Sequence, residues 1–421
     1  MSYINRNCEI AINRASRMFS TVLVTGARQV GKTTLLKHLA SGIPYITLDD
    51  PILLQSAIEE AGNFFKTAPP PVIVDEIQYA PNLFNYIKMI ADESGKKGQF
   101  FLTGSQQFRM MKNVSESLAG RIGIINLLGL SLREIESDTF NEFFVPTDEY
   151  FAKRKLSVKQ TDYKGIWEII HKGSMPAMYS GCTGEQLTQS TTSPEELDWQ
   201  MFYASYTKTY IERDVRELTQ VGDELKFVKF MTAIASRTSQ MLNLSSVANE
   251  VGISVPTADR WLSILISSNI VYLLQPYYNN ITKRAVKTPK LYFLDTGLAA
   301  YLTRWNTPEV LEAGAMAGAF FETFVVAEVL KSYYNAGVLD PSLYYYRDKD
   351  AKEVDMLIEQ NGMLYPVEIK KTSNPGKEHI DHFSVLEKIK GLTIGKGGVI
   401  CMYDRSVRIN DKNVTIPVSW L

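Results

Sequence analysis

The chain is poor in cysteine: Cys8, Cys182 and Cys401 are all it carries in 421 residues. Three isolated thiols, odd in number and far apart, build neither a disulfide framework nor a zinc-ligand set, which predicts a reducing compartment. An excess of either charge is lacking too. With 45 basic and 46 acidic residues the formal net charge is −1. That excludes a global polyanion-binding surface and an acidic tail, so any nucleic-acid contact must come from a local patch. Long apolar runs are missing as well. No segment approaches the ~18 apolar residues of a membrane span. The first stretch, Met1–Phe19, is polar and amphipathic, without the apolar core of a signal peptide. Together these absences predict a soluble, cytoplasmic protein with no membrane partner. At 421 residues the chain exceeds one compact core, and roughly two to four domains are expected.

What is present is concentrated in TGARQVGKTT, Thr25–Thr34. It follows the apolar run Thr21–Val24 and precedes Thr34–Leu39, which reads as the start of a helix. Gly26-Ala27-Arg28-Gln29-Val30-Gly31-Lys32-Thr33 fits G-x-x-x-x-G-K-[ST], the phosphate-binding P-loop. The two glycines allow backbone turns that aim successive N–H groups at a phosphate. Lys32 adds a point charge for the β- and γ-phosphates, and the Thr33 hydroxyl can hold Mg²⁺. The helix that follows, from Thr34 on, contributes its N-terminal dipole. Gly26 through Thr34 are therefore the expected cradle of a nucleoside triphosphate, with ATP and Mg²⁺ as cofactors.

Downstream, Tyr45–Leu48 reads as a short strand, and Pro69-Pro70-Pro71 breaks the chain before Val72-Ile73-Val74-Asp75-Glu76. A short apolar run of this kind suits a strand buried on both faces of a parallel sheet. The acidic pair at its end resembles a Walker B motif. Asp75 would serve the Mg²⁺ shell and Glu76 would orient and polarise the attacking water. Another buried strand, Gln99–Leu102, ends in Thr103-Gly104-Ser105. In P-loop ATPases of the AAA+ type a polar residue here lies between the Walker motifs and senses the γ-phosphate; Thr103 and Ser105 both qualify, or cap the next helix. Arg121, ahead of the apolar run Ile122–Leu130, is the first choice for an arginine finger, with Arg109 and Arg133 behind it. The competing reading of Arg121 is a surface or interdomain salt bridge. Acting in trans, it would require a homo-oligomer.

Glu134 to about Tyr163 is polar and charged, with Phe140–Tyr150 as a possible small subdomain edge. Gly181–Pro194 reads as a loop and Asp198–Leu218 as a long helix, in which Tyr203, Tyr206 and Tyr210 form a core stripe. Arg213 and Asp214 on it could bridge to the nucleotide domain. Ser245–Val251, a Gly252 turn, the N-cap Ser254, the helix Pro256–Ile266 and the strand Val271–Leu274 make a winged-helix pattern. Lys283, Arg284, Lys287 and Lys290, in or after its wing, could contact DNA phosphates. The module could equally be a protein-contact surface.

In the C-terminal third a helix over Ala313–Tyr333 carries Glu322 among apolar neighbours. Glu353–Ile358 alternates as a strand, Asn361-Gly362 signals a hairpin, and Leu364–Lys370 returns. Residues at i and i+2 share a strand face, so Glu368 and Lys370 project together, and the hairpin brings Asp355 beside them. This is similar to the PD-(D/E)xK nuclease site, in which Glu322, Asp355 and Glu368 would bind Mg²⁺ and Lys370 would position a water. The competing reading is a solvated hairpin, and such folds also serve as inactive binding modules. His379 and His382 read as exposed.

As a whole the chain resembles predicted prokaryotic AAA+ ATPases that carry a C-terminal domain of unknown function. The carrying stretches are TGARQVGKTTLL, VIVDEIQ, FFLTGSQ, SLAGRIGIINLLGLSLREI, YIERDV, KLYFLDTGL, YYYRDKDAKEVDMLI and PVEIKK. The resemblance implies an α/β architecture: a P-loop AAA+-like parallel-sheet domain (1–135), a helical linker or lid (136–235), a winged-helix module (236–308) and an α/β restriction-endonuclease-like domain (309–421). The function expected is ATP hydrolysis coupled to the C-terminal modules. The alternatives are a nucleotide-gated, Mg²⁺-dependent DNA nuclease or DNA-binding regulator, and a slow signalling-type ATP switch.

Overall fold

A computed structural model of the protein describes residues 3–104, 117–158, 163–179, 198–210, 224–278, 288–388, 391 and 393–421. Ser105, Arg109, Arg213, Asp214, Lys283, Arg284, Lys287 and all of the loop expected at Gly181–Pro194 lie outside them.

Five strands make the first sheet: β1 (Thr21–Thr25), β2 (Tyr45–Thr47), β3 (Val72–Asp75), β4 (Phe100–Gly104) and β5 (Ile122–Asn126). They run parallel in the order β2-β3-β4-β1-β5. β1, β3 and β4 are buried along their whole length, as their unbroken apolar runs require of a sheet covered on both faces. Alternate residues part between the two layers. Val22, Val24, Ile73 and Phe101 join Ala11, Ile12, Ala15 and Leu35 on one side. Leu23, Val72, Val74, Phe100 and Leu102 join Phe64, Phe65, Phe84 and Ile87 on the other.

The second sheet spans two of the expected modules. β6 (Gln240–Met241), β7 (Val271–Pro276) and β8 (Lys290–Phe293) accompany the helices Leu244–Val251 and Val255–Ser267. The first helix ends at Gly252, whose φ of 72° suits a residue without Cβ. The Ser254 hydroxyl accepts from the Thr257 N–H at 3.3 Å to start the second, which buries Ala258, Trp261, Leu262 and Leu265. C-terminally, β9 (Leu343–Arg347), β10 (Glu353–Gln360), β11 (Met363–Lys370), β12 (Thr393–Ile394), β13 (Gly397–Cys401) and β14 (Asn413–Pro417) follow. Asn361 and Gly362, both with positive φ, close a two-residue turn between Gln360 and Met363. β7 pairs antiparallel with β8 and parallel with β9, through Gln275–Tyr344 and Pro276–Tyr345. The two expected modules therefore share one sheet. Tyr203, Tyr206 and Tyr210 are buried, as a core stripe should be.

The polar stretch after β5 does not form the expected edge, and among the described residues no strand falls between Phe140 and Tyr150. It is instead a seam of buried charge. The Arg6 guanidinium donates to Val30 O at 2.8 Å, to Leu128 O at 2.8 Å, and to Glu134 Oε1 at 3.1 Å. Glu134 also accepts from the backbone N–H of Asn7 and of Ser131, both at 2.8 Å. The long helix Ala317–Asn335 completes the seam: Glu328 accepts from Leu132 N, and Lys331 donates to Leu130 O, each at 2.8 Å.

Arg133 must be corrected as a finger candidate. It is 3% exposed and is held by Leu421 O at 2.6 Å, Glu142 O at 2.7 Å, Phe140 O at 3.2 Å and Tyr150 OH at 2.7 Å. A buried guanidinium with its donors engaged structurally cannot reach a phosphate.

Breaking a buried ion pair by removing one partner typically costs about 3–5 kcal/mol, because the other charge stays buried. Arg6→Met is therefore expected to lower the thermal unfolding midpoint by several degrees. An unchanged midpoint would contradict this role.

Candidate functional site

The loop after β1 has the conformation that its sequence requires. Gln29 and Gly31 take positive φ, 60° and 92°, and Gly31 precedes the helix Lys32–Leu39 directly. Gly26 is needed for room, since a Cβ there would stand 2.0 Å from Leu127 O. The Lys32 ammonium turns back onto the loop, donating to Ala27 O at 2.7 Å and Gly26 O at 3.1 Å.

The strand order brings β3 and β4 beside this loop. Thr103 pairs with Val24, and its neighbour Leu102 pairs with Val74, so Thr103 stands between the P-loop strand and Asp75. Three hydroxyls converge on the Asp75 carboxylate: Thr33 at 2.9 and 3.1 Å, Tyr45 at 2.7 Å, and Thr103 in a short contact. Thr103 Oγ1 also accepts from Glu76 N at 3.2 Å. Glu76 has a φ of 57° and receives the Gln78 amide on its carboxylate. Burial and then the bond to Asp75 raise the Tyr45 phenol well above its ordinary range, so it stays a donor. Thr33 Oγ1 and the Asp75 oxygens are hard donors at hydrogen-bond separation, and that set fits Mg²⁺.

Arg121 lies in an exposed ion pair with Asp92, at 2.5 Å, the surface contact that the sequence left open for it. The seam and the middle segment reach the loop from behind. A Cβ on Gly31 would lie 3.8 Å from Arg6 Nη1 and 3.9 Å from Pro176. The Pro176 turn is anchored by buried Asp295, which accepts from Ser174 N at 2.7 Å, Ser174 Oγ at 2.8 Å and Tyr203 OH at 2.8 Å. Sequence reasoning missed Tyr45, Arg6, Glu134 and Asp295 as parts of this site.

The C-terminal carboxylates form a second cluster. Lys370 Nζ is 2.7 Å from Glu368 and 3.1 Å from Asp355, so the two strands of the hairpin meet as expected. Glu322 reaches the same cluster from the long helix, bridged by Lys290. The ammonium of Lys290 is 3.0 Å from Glu322, 2.5 Å from Glu353 and 3.7 Å from Asp355. Burial alone would lower the Lys290 ammonium, but Glu322, Asp355 and Glu353 outweigh it and hold it above its ordinary range. Burial, and then Asp355, pushes the Glu368 carboxyl up to about 8. The same two causes raise Glu322.

Lys290 thus corrects the expectation of a phosphate-contacting wing residue: its side chain is 5% exposed and fully engaged. Among the described residues no group of three or more Asp, Glu, His or Cys is placed to hold a metal ion. As arranged, the cluster does not fit Mg²⁺, because a lysine stands among its carboxylates. Glu353, two residues before Asp355 on one strand, was readable from the i, i+2 rule and was missed. His379 bonds to Gly376, and His382 to the backbone carbonyl of Glu353.

Gly26→Ala is expected to push the loop off its strand and weaken binding of a fluorescent ATP analogue at least about tenfold, or about 1.4 kcal/mol. Undiminished affinity would show that the loop does not bind phosphate in this conformation.

Residues 19–136 match the sequence profile of an AAA domain, and residues 164–309 and 317–421 each match a domain of unknown function. An uncharacterized protein of Mycobacterium tuberculosis is 25% identical over 428 residues, covering 99% of this chain and 84% of its own. An uncharacterized protein of Methanocaldococcus jannaschii is 24% identical over 368 residues, covering 84% of this chain and 75% of its own. Among solved structures, the Walker-type ATPase of Pyrococcus abyssi is 16% identical with a TM-score of 0.44, covering 71% of this chain and 96% of that one. Thermotoga maritima RuvB is 13% identical with a TM-score of 0.28, covering 63% and 86%. No helix among the described residues is long and apolar enough to cross a membrane. The AAA profile falls on the five-stranded parallel sheet and its loop, so this part of the chain is similar to an AAA domain.

Proposed function

We propose that the protein binds and hydrolyses ATP at the P-loop and passes its nucleotide state to the C-terminal half through the buried seam. The observation that carries this reading is the meeting of Thr33, Thr103 and Asp75 at the mouth of the loop that holds Lys32. Gly26 to Thr34 surround the phosphates, their backbone N–H groups and the helix N-terminus giving a preorganised anion site. Lys32 exchanges the loop carbonyls for phosphate oxygens. Thr33 and Asp75 would hold Mg²⁺, which supplies charge neutralisation on the β- and γ-phosphates. Glu76 accepts a hydrogen bond from the attacking water and orients it, while Thr103 fixes Asp75 and senses the terminal phosphate. Arg121 serves as a finger only if it leaves Asp92.

The modules downstream are read in the same way. The two helices around Gly252 with antiparallel β6, β7 and β8 support a winged helix. The mixed sheet carrying Asp355 and Glu368 on adjacent strands supports a nuclease-like fold. The domain division at 135, 235 and 308 belongs to this proposal. Coupling through the seam is supported by Arg6, which touches the loop at Val30 O while pairing with Glu134.

Lys32→Ala is expected to abolish phosphate release. Glu76→Gln should retain ATP binding while turnover falls roughly a hundredfold or more, the usual share of a positioned general base. Full turnover by Lys32→Ala, measured as phosphate released per chain, would end the ATPase reading.

A further inference from the structure

We propose that Tyr45 is a positioning residue of the nucleotide site: its hydroxyl holds Oδ2 of Asp75 and so aims the acceptor site of that carboxylate which is left for the Mg²⁺ shell. The inference rests on the ATP reading of the loop and adds to it a residue that lies outside both Walker motifs.

The sheet register puts the phenol on the required face. Thr47 pairs with Asp75, and Tyr45 with Ile73. Side chains at i and i+2 share a strand face, so Tyr45, Thr47, Ile73 and Asp75 stand on one side of the sheet. Ile73 identifies that side, because it belongs to the same core as Leu35 and Leu36 of the helix Lys32–Leu39. The same helix grips the Tyr45 ring. Lys37 follows Thr33 by four residues and so shares its helix face, and its ammonium stands 3.5 Å from the centre of the ring. Tyr45 is thus held between the helix that opens at the P-loop and the strand that carries Asp75.

The bonding of Asp75 shows what the phenol does. A carboxylate has about four acceptor sites, two on each oxygen. Thr103 and Thr33 both donate to Oδ1, Thr33 at 2.9 Å. Oδ2 accepts from the Tyr45 hydroxyl at 2.7 Å, with Thr33 more distant at 3.1 Å. The two threonines fill Oδ1, so the open site belongs to Oδ2. Its direction is set by the one donor dedicated to that oxygen. Without the phenol the carboxylate is free to pivot about its Oδ1 bonds. Loss of an outer partner that orients a metal ligand typically costs about tenfold to a hundredfold in metal affinity.

The test is binding of a fluorescent ATP analogue to the full chain, titrated with Mg²⁺ from a metal-free, chelated start. Binding and not turnover is read. Tyr45→Phe keeps the ring beneath Lys37 and removes only the hydroxyl. It should bind the analogue without Mg²⁺ as wild type does, and should need at least about tenfold more Mg²⁺ to reach the tighter state. Added to Asp75→Asn, Tyr45→Phe should raise the Mg²⁺ requirement no further, because it acts through that carboxylate. An unchanged Mg²⁺ requirement in Tyr45→Phe would overturn the proposal. So would an equal loss of affinity with and without Mg²⁺, which is the mark of a residue that only supports the fold of the loop. Binding by wild type that ignores Mg²⁺ would overturn it too, and would leave nucleotide binding standing. If wild type binds no analogue in either condition, the ATP reading itself falls.

Discussion

The structure depends on one buried ion pair, Arg6 with Glu134. Both residues are nearly inaccessible, 5% and 2% exposed, and they lie 128 positions apart in sequence. The pair is tolerable because the remaining donors and acceptors are satisfied. Arg6 reaches the carbonyls of Val30 and Leu128, and Glu134 takes the N–H groups of Asn7 and Ser131. A charge so enclosed is stable only in one geometry. That geometry ties the N-terminal segment, the P-loop, the chain after β5 and the long helix to one another. The proposed coupling of the loop to the C-terminal half would run through these contacts.

The sequence made the local features legible and left the pairings dark. The P-loop, the Asp75 strand and the Asn361-Gly362 turn are each written in a few consecutive residues, so their chemistry could be read directly. The buried strands β1, β3 and β4 follow from apolar runs for the same reason. Arg6 and Glu134 are 128 positions apart, and no pattern along the chain joins them. The Ser131-x-x-Glu134 spacing of a capping box was a readable signal that Glu134 faces backbone. Arg133, one position earlier, was read as a possible finger and proved to anchor the chain near Leu421.

Lys290 shows why a charged residue is the hardest to place from sequence. It opens an apolar strand in a basic neighbourhood, so solvent or a phosphate was the natural expectation. Its burial depends on β7 bridging to β9, which carries the helix-turn-helix segment onto the hairpin sheet. That pairing involves two residues on each strand and has no compositional signature. The same pairing makes the cluster chemically ambiguous: carboxylates that spacing assigned to a metal are neutralised in part by the protein itself.

If the buried seam couples the two halves of the chain, the nucleotide loop and the long helix Ala317–Asn335 respond together. Hydrogen–deuterium exchange of the full chain with and without ATP and Mg²⁺ tests it most directly. Coupling through the seam predicts slower exchange in residues 26–34 together with a changed rate in the long helix or the hairpin that carries Asp355 and Glu368. A change confined to the AAA-like domain, with the C-terminal residues exchanging at the same rate in both states, would contradict it.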